Sequence, residues 1–165
     1  MNKDLLLKSL VKEMNICRRL YTRVPPDQFD FRPKEGMRST LELLQYLSWC
    51  GSGMILFWSQ KEETDFRVFF APLIAKSKEM AAADFMEIMD KQIETGSSLI
   101  SRITDEDLNK REVILPSGEK TFLGHGIIDT SVKWTTAYKL QLYLYLKLST
   151  DQKLGTPDAW RLTDI

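Results

Sequence analysis

The sequence predicts an all-α protein: a four-helix bundle with a small hairpin or irregular arm before its last helix. Three observations point there. Apolar residues recur at three- and four-residue steps over four long segments. Substantial connections separate those segments, and the only β-favouring runs are two short ones around Pro116-Ser117-Gly118. Four amphipathic helices must bury their apolar stripes against one another, and a bundle does so with the fewest elements.

The first helix spans about residues 2–22, marked by Leu7, Leu10, Met14, Cys17 and Tyr21. Pro25 and Pro26 stop it, because each removes a backbone donor and pushes the residue before it out of the helical region. Ser39 and Glu42, three residues apart, form a capping-box pattern that opens the second helix. Its core stripe is Leu43, Leu47, Met54 and Phe57, and a second stripe carries Glu42, Tyr46, Trp49, Cys50 and Gly53. Residues 60–82 hold a proline and clustered aromatics without a clear period, and the expectation there is a loop containing one short helix. The third helix runs from about Asp84 to Ile103 through Phe85, Met89, Ile93, Gly96 and Ile100. "TDEDLNK" gives a helical turn, and "REVILPSGEKTFL" gives the arm. The last helix runs from about Gly126 to Ser149, and Trp160 and Leu162 in the tail are expected to pack back on the body.

Composition narrows the function. Hydrophobic residues make up 43% and charged ones 28%, and Lys+Arg balances Asp+Glu at 23 each. A chain without a positive excess is a poor ligand for nucleic acid or an anionic membrane surface. No apolar run approaches the roughly 20 residues of a membrane span. The opening "MNKDLLLKSLVKEM" is broken by Lys8, Lys12 and Glu13, unlike a signal peptide. Cys17 and Cys50 are the only cysteines, so a reduced, cytoplasmic setting is expected for one domain over residues 1–165.

Two segments carry a family resemblance. "LYTRVPPDQFDFRPKEGMRSTLELLQYLSW" resembles the opening of the DinB/YfiT-like superfamily, and "KWTTAYKLQLYLYLKL" resembles that family's last-helix pattern, H-E-x-x-H-R-G-Q-x-x-x-Y-L-R. The resemblance implies a helical bundle, homodimers, and a divalent metal held by three histidines that activates a low-molecular-weight thiol for transfer. By motif, the ligand positions fall on Tyr46, Trp134 and Tyr138, none of them histidine. Lys139 and Leu140 stand where the family has Arg and Gly, and Gln141 matches its Gln.

No other residues rebuild a metal site convincingly. Three or four N, S or O donors must converge on the ion at about 2.0–2.3 Å. His125 is the single histidine, in a "GHG" that reads as a helix-start loop. In helical phase it would lie half a turn from Trp134 and about 13 Å away along the axis. Glu42, Cys50 and Cys17 form a conceivable but weak donor set, and tyrosine titrates near about 10. The expectation is no metal, no cofactor and no metal-dependent transferase activity.

Two readings of the aromatics stay open. They fill the space of a lost metal site, since an empty cavity is destabilising. Alternatively, Tyr46, Trp134, Tyr138 and Gln141, with Cys50 and Glu42 bordering, line a remodelled pocket for a small organic ligand or an enzyme of unknown reaction type. Gly-rich phosphate loops, G-x-S-x-G and H-E-x-x-H are absent from the sequence. The carboxylate runs Glu62–Glu63 and Asp105–Glu106–Asp107 read as solvated or capping.

Overall fold

The computed structural model describes residues 1–62 and 64–162; Glu63 of the Glu62–Glu63 pair lies outside them. Helix α1 (Lys3–Tyr21) starts at Asn2, whose side chain accepts the Leu5 N–H at 3.0 Å, and it buries Leu6, Leu10, Met14, Ile16, Cys17 and Leu20. After Pro25 a 3-10 turn (Pro26–Gln28) leads towards α2 (Thr40–Cys50). The capping box forms as the sequence predicts: Ser39 Oγ accepts the Glu42 N–H at 3.1 Å and the Glu42 carboxylate accepts the Ser39 N–H at 2.8 Å.

The second helix does not continue unbroken. Gly51 and Ser52 interrupt it, and the chain resumes as α3 (Gly53–Trp58). A Cβ at Gly51 would lie 2.3 Å from Met14 Cε, 3.0 Å from Gln92 Oε1 and 3.2 Å from Thr135 Oγ1, so any larger residue would have to displace Met14 and crowd Gln92 and Thr135 at this crossing of elements. The buried Gln92 Oε1 accepts both the Gly51 N–H (2.8 Å) and the Ser52 N–H (3.1 Å), holding the joint.

A larger departure lies at residues 60–82, where the short helix expected within a loop is a 13-residue helix, α4 (Phe66–Lys78). Asp65 caps it, accepting the N–H groups of Arg67 (2.8 Å) and Val68 (3.1 Å). Pro72 sits inside the helix on its exposed side, where the carbonyl left without a partner faces water. Phe66, Phe69, Phe70 and Leu73 share one helical face, which packs on the core.

The rest follows in order: α5 (Phe85–Ser101), α6 (Asp105–Lys110), and an antiparallel hairpin of β1 (Glu112–Ile114) and β2 (Lys120–Phe122). Gly118 at φ +87° makes the hairpin turn. The last helix begins earlier than expected, as α7 (Leu123–Ile127), widens into a π segment (Ile128–Val132) and continues as α8 (Lys133–Ser149). His125 is therefore helical and exposed, and does not lie in a loop.

Helices α1, α2, α5 and α8 form the bundle: α1 packs on α5 and α8, and α2 packs on α8, α4 and α5. A short α9 (Thr156–Trp160) folds back onto α1 and α8. Its buried anchors are Leu154 and Ala159, while Trp160 and Leu162 remain exposed. Trp160 instead covers Lys139, with Nζ 4.3 Å from the ring centre. Among the described residues no helix is long and apolar enough to cross a membrane.

Candidate functional site

Two of the three positions aligned with metal ligands meet. Tyr46 on α2 and Tyr138 on α8 have ring centres 4.3 Å apart, and Tyr46 also packs edge-on against Trp49 at 4.8 Å. Rings this close are in full contact, with no gap between them for an ion and its waters. Arg38, just before α2, lays its guanidinium over both tyrosines, 4.6 Å from the Tyr46 ring and 5.2 Å from the Tyr138 ring. Burial, with Cys50 and Tyr138 alongside, pushes the Tyr46 phenol above its ordinary range, so it stays protonated. Trp134 is half-buried against the core and takes no part in this stack.

Beneath the stack, Cys50 is fully buried with Sγ 3.8 Å from Thr135 Oγ1. Burial pushes its thiol up to about 12. Cys17 is equally buried, and its thiol is raised by desolvation first and by the neighbouring Cys50 second. Neutral thiols are poor nucleophiles and poor ligands. Glu42 turns away from the stack. Its carboxylate takes two 2.7 Å hydrogen bonds from Arg32, which with the Ser39 cap hold it down at about 2. Gln141 donates to Tyr145 Oη (2.6 Å), and Tyr145 in turn donates to the Arg38 carbonyl (2.9 Å), which fixes the segment carrying the guanidinium.

Of the six candidate residues, Tyr46, Tyr138 and Cys50 come together, Gln141 supports them from behind, and Trp134 and Glu42 lie apart. The residues fit a metal poorly. The two ligand positions that meet hold packed phenols, and among the described residues no three His, Cys, Asp or Glu side chains gather so as to hold an ion.

Several contributors were not singled out from the sequence. Gln92, buried on α5, has all four of its hydrogen-bonding capacities filled, its Nε2 donating to the Leu47 carbonyl (2.9 Å) and to Met89 Sδ (3.1 Å). Lys139 is completely buried with Nζ 2.5 Å from Glu13 Oε2, and Thr136 Oγ1 donates to the same carboxylate at 3.1 Å. A detectable signal existed for both, since Gln92 lies on the Phe85–Met89–Gly96 stripe and Lys139 on the Thr135–Leu142–Leu146 stripe. A polar residue on a buried stripe announces a partner. Arg38 gave no such signal.

No family model matches the chain, and no curated protein matches it. Among solved structures, it is similar to the crystal structure of a DinB-like protein, YjoA from Bacillus subtilis, with a TM-score of 0.63 and 16% identity over 92% of this chain and 96% of that one. At that identity the likeness speaks for the fold alone. The helix order, the packing of the bundle and this likeness agree: the chain has the DinB-like fold.

Proposed function

We propose that this DinB-like protein works without a three-histidine metal centre, as a metal-independent binding protein for a small organic molecule. One observation carries the reading: the Tyr46–Tyr138 ring pair, packed to contact under Arg38, stands where the resemblance places the metal. In this reading the aromatics plug the former centre, and Cys50 lies protonated beneath them. A thiol-transfer mechanism of the family's kind would have no Lewis acid there to activate the incoming thiol. A homodimer in the cytoplasm belongs to the same proposal and rests on the resemblance; sedimentation velocity tests the pairing.

The decisive experiment is metal analysis of protein purified without an affinity tag, followed by calorimetric titration with zinc and nickel. The expected outcome is no stoichiometric metal and no measurable binding. Near-stoichiometric uptake of either ion would overturn the reading.

A further inference from the structure

An open cleft lies on the other face of α2. It encloses about 630 Å³ between the α2–α3 joint, α4 and α5, within the range of ordinary small-molecule sites. Its walls are largely apolar: Trp49, Leu56, Leu73, Met80 and Ile88. The polar groups along it are mostly occupied. Ser48 and Ser77 donate to carbonyls of their own helices at 2.8 Å each, and Gln92 is saturated at the joint.

Ser52 is different. It is 8% exposed and lines the cleft, yet its side chain caps nothing, although it occupies the N-cap position of α3. Among the described residues its hydroxyl has no hydrogen-bond partner. The hydroxyl is not sealed off, since it lines the open cleft, and there it is free to exchange water for a polar group on a ligand. The rim carries Lys76 and Lys91 beside Glu79, Asp84 and Glu87, and Lys91 is paired with Glu87. Its slight negative excess disfavours anions, and no unpaired cluster of one sign is there to select a strongly charged ligand.

We propose that this cleft binds an uncharged, largely apolar ring compound that places a hydroxyl or carbonyl on Ser52 and its ring beside Trp49. This rests on the reading of the chain as a small-molecule binder and gives it a site distinct from the aromatic plug.

The probe is 2-naphthol, neutral at neutral pH, titrated into the full chain while the four tryptophan indole N–H signals are followed by NMR. Trp49→Phe assigns the signal of interest. The expected result is a saturable shift of the Trp49 signal, abolished in Leu73→Trp, which fills the cleft from the surface of α4. In Ser52→Ala the affinity should fall about threefold to tenfold, with the fold intact because the lost hydroxyl has no protein partner. No saturable shift at Trp49, retained binding in Leu73→Trp, or unchanged affinity in Ser52→Ala would each overturn the assignment. A chain that takes up zinc and still binds the naphthol at Trp49 would break the metal-free reading while leaving this site in place.

Discussion

Helix α2 has one face towards α8 and another towards α4 and α5, and the two are built on opposite terms. On the α8 side, rings touch rings, and the Cys50 thiol under the stack is held neutral. On the α4–α5 side the apolar walls stand apart, and the Ser52 hydroxyl has no hydrogen-bond partner among the described residues. The residues that first suggest a pocket are those that close it, and the vacancy lies one helix face away.

The strongest way to break the comparison is at the joint the two faces share. Replacing Gln92 by Leu strands two buried N–H groups and the Leu47 carbonyl, and the expected loss is about 3 kcal/mol in denaturant unfolding. A loss below about 1 kcal/mol would mean that water repairs the joint. Next comes the closed face itself. Tyr138→Ala should cost about 2 kcal/mol through the cavity it leaves, while naphthol binding at Trp49 persists; loss of that binding would show that the faces are coupled.

A third test uses pH. The Cys50 thiol rises from about 9 to about 12 on folding. The unfolded chain therefore releases its proton at lower pH than the folded one. The Cys50 contribution should be unaffected below about 9 and lost as pH climbs towards 12, so Cys50→Ala should make the decline shallower while Cys17 and Tyr46, shifted in the same direction, keep their share. An equally steep decline in that variant would assign the effect to other groups. The smallest effect belongs to the open face: Ser52→Ala should change stability by less than about 0.5 kcal/mol, measured by the same unfolding. A larger loss would reveal a partner for the hydroxyl and blur the contrast between the faces.

The bundle was legible because its stripes are long and periodic, and the caps at Ser39 and the turn at Gly118 are spelled by residue type. Helix α4 was not, because Pro72 argues against a helix locally while Phe66, Phe69, Phe70 and Leu73 are held by tertiary packing. The break at Gly51 depends on what crosses there, and no neighbour in sequence announces it. At the candidate site the family resemblance, which aligned Tyr46 and Tyr138 with ligand positions of one centre, implied that they lie near each other. Arg38 could not be placed in advance, because its position depends on a Tyr145–Gln141 relay reaching from a distant helix. The cleft escaped notice for a related reason: one of its walls is the helix that Pro72 concealed.

The wide turn at Ile128–Val132 bears on how this chain should be laid beside others. A π segment carries the equivalent of one inserted residue, which rotates everything after it by about 100° relative to a plain α-helix. Against a counterpart whose helix is plain α there, an alignment that slides His125 and Tyr138 along together without a gap matches the wrong faces on one side of the π segment. Structural superposition before and after Ile128–Val132 separately, with a one-residue offset allowed between them, is the register in which this helix can be compared with its counterparts.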